Sequence, residues 1–215
     1  MTNNDRFDLS PASLALAGQI LDVLSADFAL QQGNRVVIGA AGESGSGKSV
    51  TASSLAHELA ARGLRAQVIY QDDYFIRPPQ TNHDYRLSDL SRVGPHEVRL
   101  DLIAEHIADF RAARDGVVAQ HVNYPANRFD TQVMHFSDCD VLVVEGTYVL
   151  QLATLDVGLF FAATHEDTRA RRRARNRDLD APIIDEILAI EHRLIAPQAA
   201  LADLIIDRDF VMHRQ

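Results

Sequence analysis

A single cysteine, Cys139, in a chain of 215 residues excludes an internal disulfide and fits a reducing compartment. Its place beside the apolar run Val141-Leu142-Val143-Val144 reads as inert packing rather than a nucleophile. No apolar run approaches the roughly 18 residues that would span a bilayer. The first residues, Met1-Thr2-Asn3-Asn4-Asp5, lack the basic stretch of a signal peptide, and the span 14–30 is interrupted by Gln19, Asp22 and Asp27. The expectation is a cytoplasmic protein with no membrane partner. Cationic charge is scarce as well. The 21 Lys and Arg against 30 Asp and Glu leave a formal net charge of −9, which argues against non-specific nucleic-acid binding. His83, His96, His121 and His135 lack the spacing of a zinc motif, and no cysteine cluster accompanies them. Repeats and low-complexity tracts are absent. With 47% hydrophobic residues, the chain is long enough for one domain with a sizeable core.

What the chain does have is a glycine-rich stretch, Gly42-Glu43-Ser44-Gly45-Ser46-Gly47-Lys48-Ser49, set after the apolar run Val36-Val37-Ile38. Strand, glycine-rich loop and helix in that order form a nucleotide-phosphate cradle. Glycines let successive backbone N–H groups turn toward anionic oxygens, and the following helix adds the positive end of its dipole. Gly42, Glu43, Ser44, Gly45, Ser46, Gly47, Lys48, Ser49 and Val50 are therefore the candidate nucleotide contacts. Lys48 would reach the β- and γ-phosphates, and the Ser49 hydroxyl would hold Mg²⁺. The cofactors expected are ATP and Mg²⁺.

Around this loop, strands alternate with helices. Ser10-Pro11 predicts a helix start, with Ala17, Ile20, Leu24 and Phe28 on one face and an end near Gln32-Gly33. Strands are predicted at 35–40, 66–70, 141–144, 157–162 and 204–206, and helices at 48–61, near 147–152 and near 183–195. Leu100, Ile103, Ile107 and Phe110 mark a further amphipathic helix. Residues 117–124 and 131–135 suggest a hairpin. The span 77–95, with Pro78-Pro79 and Gly94-Pro95, reads as long, irregular and functional. Strands alternating with helices imply a three-layer α/β sandwich around a mostly parallel, five-stranded sheet, with helices on both faces and a small helical lid. The organisation expected is one domain over 1–215, with 1–33 as a helical extension and 165–180 as the lid.

Parallel sheets bind ligands beyond the carboxyl ends of their strands. Glu145 follows one strand and could contact the Mg²⁺ shell. Asp72 and Asp73 follow another, where a carboxylate could accept the proton of an attacking hydroxyl. Arg169, Arg171, Arg172, Arg173, Arg175 and Arg177 crowd one segment. A closing lid could use some of them to stabilise the charge of a transferring phosphoryl group. His83, Tyr85 and Arg86 could touch an acceptor.

These pieces together resemble the uridine kinase and phosphoribulokinase-like branch of P-loop kinases. The residues that carry the resemblance are the glycine loop, Tyr70-Gln71-Asp72-Asp73-Tyr74-Phe75, Val143-Val144-Glu145-Gly146-Thr147, the arginine segment and Ala202-Asp203-Leu204-Ile205-Ile206. The resemblance implies ATP-dependent phosphorylation of a small-molecule hydroxyl. It makes Asp72 the base, Lys48 a catalytic cation, Ser49 and Glu145 the metal-side residues, and Arg171, Arg172 and Arg175 the lid contacts. Tyr74, His83, Arg86, Tyr124, Asn127 and Arg128 become the candidate acceptor-binding residues. The chain departs from the uridine kinases where they carry an acidic-His-Pro-Asp signature, reading Val93-Gly94-Pro95-His96-Glu97, and where they carry Pro-x-Tyr-Asp, reading Asn123-Tyr124-Pro125. A nucleoside is the leading acceptor. Another sugar- or vitamin-like alcohol is the alternative, as is a nucleotide switch with no acceptor. Homo-oligomers remain open.

Overall fold

The computed structural model describes residues 7, 9–28, 30–170 and 182–215. The first helix, α1 (Pro11–Asp27), opens with the Ser10 hydroxyl accepting from the Ser13 backbone N–H while Ser13 reciprocates. It ends at Asp27, short of Gly33, because Phe28 is already extended. Then come β1 (Val36–Gly42), α2 (Lys48–Ala61) and β2 (Ala66–Tyr70), followed by a 3₁₀ turn at Gln71–Tyr74. Next are α3 (Pro79–Ser88), α4 (Leu100–Arg111), and the strands β3 (Val117–Asn123), β4 (Arg128–Met134), β5 (Val141–Gly146) and β6 (Val157–Phe161). The chain continues with α5 (Pro182–Ile195), β7 (Leu204–Ile206) and β8 (Met212–Arg214).

The main sheet runs β2-β5-β1-β6-β7-β8. Its first five strands pair in parallel, as the alternating pattern predicts. β8 adds an antiparallel edge strand that three residues after a turn did not announce. Burial on both faces explains the continuous apolar strands, since neighbouring residues point opposite ways. Ile38, Val68 and Val143 join α1 and α2 in one core cluster, while Val37, Ile69 and Leu142 join α4, β3 and β4 in the other. The β3–β4 hairpin forms a separate two-stranded sheet. Among the described residues, no helix is long and apolar enough to cross a membrane.

The span 77–95 is not irregular. It holds α3 and two short 3₁₀ turns, Leu90–Arg92 and Pro95–Glu97. Polar residues surround α3, so no apolar stripe betrayed it; its order comes from tertiary contacts described below. The residues near 147–152 form only a 3₁₀ turn at Val149–Gln151.

Cys139 is buried, and burial pushes its thiol up to about 11. At pH 8 the folded chain should react with a thiol reagent roughly two orders of magnitude more slowly than the unfolded chain, because so little thiolate forms. A disulfide-exchange assay with and without denaturant checks this; equal rates would contradict the burial.

Candidate active site

The loop between β1 and α2 turns tightly enough that the Ser46 N–H donates to the Glu43 carbonyl at 3.2 Å. Gly47, just before α2, has φ +105, a conformation costly for any side chain. A Cβ there would also sit 2.7 Å from the ring of Phe210, which rests against the loop. Phe210 is presented by a turn in which Asp207 accepts from the N–H groups of Asp209 and Val211. The Lys48 ammonium reaches the Glu43 carbonyl at 3.4 Å and makes no ion pair among the described residues. Ser46 Oγ is buried with no hydrogen-bond partner among them. A cation, an orphaned hydroxyl and a helix N-terminus converging on one turn suit a polyanionic phosphate chain.

A cavity of about 330 Å³ opens from this loop. Ser44, Gly45, Lys48 and Ser49 line one end, Asp72, Glu145 and Thr147 the strand ends, and His83, Arg86, Tyr124 and Glu191 the far wall. A second cavity adjoins it, sharing Asp72, Phe75, His83, Arg86 and Tyr124, and adding Arg77, Gln80 and Asn82. The parallel order explains the convergence, since β1, β2 and β5 are neighbours and all point their carboxyl ends here. Glu145 is buried at the end of β5. The next residue, Gly146, lets that end approach β2. A Cβ on it would lie 2.3 Å from the Gln71 Cβ. Gln71 in turn donates to the Thr147 hydroxyl at 2.7 Å and accepts from the Tyr148 N–H at 2.9 Å.

The two aspartates after β2 have different fates. Asp73 is buried, accepting from the Val122 N–H at 2.9 Å, while its carbonyl accepts from Gln120. It docks the β3–β4 hairpin. Asp72 faces the cavity, where its Oδ2 accepts from the Tyr124 hydroxyl at 2.7 Å.

Arg86, on α3, is the far wall's fixed cation. Its Nε and one terminal nitrogen donate to the two oxygens of Glu97 at 2.6 and 2.8 Å, and the other terminal nitrogen lies 3.1 Å from Glu191. Burial would lower its pKa, but the bond to Glu97 and the charges of Glu191 and Glu97 carry it well above the ordinary arginine value. Glu97 also accepts from Asn82 at 2.9 Å and from the Gly94 N–H at 2.8 Å. Burial pushes the Glu191 carboxyl up, against the downward pull of Arg86.

Some expected acceptor residues fall elsewhere. Tyr74 is buried, with its hydroxyl 2.7 Å from the His106 Nδ1, because the 3₁₀ turn aims it into the core. Asn127, at the hairpin tip, accepts from the Gln80 N–H and donates to Thr81, so it caps the start of α3. Arg128 is exposed and pairs with Asp130 at 2.7 Å. Glu43 turns its side chain away from the phosphate side toward His165 and His192. His83, Arg86 and Tyr124 do line the cavity. Arg171, Arg172 and Arg175 lie outside the described residues. Arg169 pairs with Asp185 at 3.1 Å.

Phe75, Arg77, Glu97 and Glu191 escaped sequence reading. Phe75, Arg77 and Glu97 stand in stretches that the sequence marks, without a role of their own there; Glu191 carries no such signal. Arg77 lies 3.6 Å and Arg92 3.9 Å from the Tyr85 ring centroid, covering that ring with guanidinium groups.

Residues 37–212 match the model of the "Phosphoribulokinase / Uridine kinase family". The chain is 29% identical over 196 residues to a bifunctional alpha-galactosidase/sucrose kinase of Mediterraneibacter gnavus, a match spanning 85% of this chain but 21% of that enzyme. It is 26% identical to a uridine kinase of Limosilactobacillus reuteri, covering 83% of this chain and 86% of the relative. The structure described as a possible uridine kinase of Bacillus stearothermophilus superposes with a TM-score of 0.60 at 17% identity, covering 89% and 98% of the two chains.

Proposed function

The chain belongs to the phosphoribulokinase / uridine kinase family, and from that premise we propose that its cavity transfers the γ-phosphoryl group of ATP to a nucleoside hydroxyl. That it is a P-loop small-molecule kinase follows from the family; the acceptor and the residue roles are our reading. The observation that carries it is Asp72, held by Tyr124 in a cavity shared with Lys48, Ser49 and Glu145.

In this reading the Gly42–Val50 backbone and Lys48 bind the triphosphate. Ser49 and Glu145 would hold Mg²⁺, whose charge would offset that of the phosphate oxygens. Tyr124 orients the Asp72 carboxylate, which takes the proton of the acceptor hydroxyl as its oxygen attacks phosphorus. His83 and Arg86 form the acceptor wall. Arg171, Arg172 and Arg175 are the candidate lid cations. The nucleoside is favoured by the L. reuteri relative, 86% of whose length the match covers, and by Phe75 and Tyr124 at the cavity wall.

A free sugar is the second reading. It is favoured by the sucrose kinase relative and by a wall rich in Arg77, Gln80 and Asn82. An acceptor screen that follows ADP formation separates the two: uridine and cytidine in one arm, fructose and sucrose in the other. Stimulation by a nucleoside alone supports the first reading, and stimulation by a sugar alone replaces it. If none of these alcohols raises ADP formation above basal hydrolysis, both acceptor readings fall and the nucleotide switch gains.

Lys48→Ala should weaken ATP binding and turnover together, roughly 10–150-fold, the worth of a charged hydrogen bond. Calorimetric nucleotide titration beside steady-state kinetics checks it; normal affinity would contradict the cradle.

A further inference from the structure

Beside the phosphate loop, three donor side chains from distant segments meet. Glu43 comes from the loop, His165 from the segment after β6, and His192 from α5. Glu43 Oε2 accepts from the His165 backbone N–H at 2.6 Å and lies 3.1 Å from that ring's Nδ1. Glu43 Oε1 lies 2.6 Å from the His192 Nδ1. One ligand atom from each residue falls within 4.8 Å of the others. We propose that Glu43, His165 and His192 form a site for a divalent transition ion of the Zn²⁺ class, cross-linking the phosphate loop to α5.

The donor set selects the ion. Two imidazole nitrogens and a carboxylate oxygen suit borderline cations, whereas Mg²⁺ prefers oxygens throughout. This site is therefore chemically distinct from the Ser49 and Glu145 position. Ligands at about 2.0–2.2 Å with tetrahedral angles stand about 3.2–3.5 Å apart. The Glu43–His165 pair at 3.1 Å already approaches that spacing. The two imidazoles meet opposite oxygens of the carboxylate, so closing on one ion requires the His192 ring to shift, and its side chain, 41% exposed, has solvent to move into. The Glu43 side chain is only 7% exposed, and the backbone N–H of His165 holds its carboxylate in place, as outer partners of metal ligands do. A hydrogen-bonded clamp alone would need only one imidazole on that carboxylate. Here two converge, with ring centroids 5.7 Å apart.

The site has a reach beyond its ligands. The residue before His192 is Glu191, which pairs with Arg86 on the acceptor wall. An ion here would tie the donor loop to that wall, whichever acceptor is used.

The test is a titration of metal-free, nucleotide-free protein with Co²⁺, followed by visible absorption and by thermal melting. One equivalent should raise an intense ligand-field band of four-coordinate type, abolished by Zn²⁺, and both ions should raise the melting midpoint. His165→Gln and His192→Gln, which keep hydrogen-bonding groups, should each weaken binding at least tenfold. Glu145→Gln should leave the band in place. Three results overturn the proposal: no stoichiometric band in the unaltered chain, a band that survives both histidine changes, or a band lost in Glu145→Gln alone.

Discussion

Asp72→Asn should leave ATP affinity near that of the unaltered chain while slowing phosphoryl transfer by about 10²–10⁴-fold, the usual contribution of a general base. Asparagine keeps the shape of the side chain and an oxygen for the Tyr124 hydroxyl, which donates to Asp72 at 2.7 Å. What it loses is the capacity to take a proton. The loss should therefore fall on kcat and kcat/KM together, as it does when an interaction exists only in the transition state. Single-turnover transfer to the acceptor, set beside nucleotide titration, reads the two effects separately. Unaltered transfer would remove Asp72 from the chemistry. Asp73→Asn is the contrasting change, because that buried carboxylate serves the hairpin; its effect should appear in stability.

Glu97→Ala should destabilise the fold by about 3–5 kcal/mol, the range found when one partner of a buried ion pair is removed. The Glu97 side chain is 1% exposed and satisfies Arg86, Asn82 and the Gly94 N–H at once. Its loss would leave the Arg86 guanidinium facing Glu191 alone, with two amide donors stranded. Urea unfolding measures the change, and a loss below about 1 kcal/mol would show that solvent or Glu191 replaces those bonds. A paired apolar replacement, Glu97→Leu with Arg86→Met, should recover little of the stability, because Asn82 and the Gly94 N–H still lack their acceptor and the buried Glu191 loses its cation. Nor should it recover acceptor binding, because the wall would have lost the Arg86 guanidinium.

The parts of the fold legible in the sequence are those specified locally. Gly47 needs a left-handed backbone and Gly146 needs an absent Cβ, and both needs are written into short motifs. The apolar runs that became β1, β5 and β6 are buried on both faces, so composition alone marks them. α3 was illegible because it is ordered from outside, by Glu97 and by Asn127 at the hairpin tip. The same distance hid the meeting of Glu43 with His192, 149 positions away. Tyr74 misled for a different reason. It stands two residues after Asp72, yet a 3₁₀ turn has about three residues per turn, so Asp72 faces the cavity while Asp73 and Tyr74 are both buried.

The ring of Phe210 against Gly47 has a practical consequence for anyone handling this protein. The turn that presents Phe210 is held by Asp207 and followed by an edge strand of three residues. Arg208, its side chain 69% exposed, offers trypsin a ready cut one turn away from the nucleotide loop. Cleavage there, or an affinity tag that strains residues 207–214, would surface as weakened nucleotide binding and be mistaken for a defect in the loop itself. Arg208→Gln, which removes the cut without touching Asp207 or Phe210, is the simple safeguard.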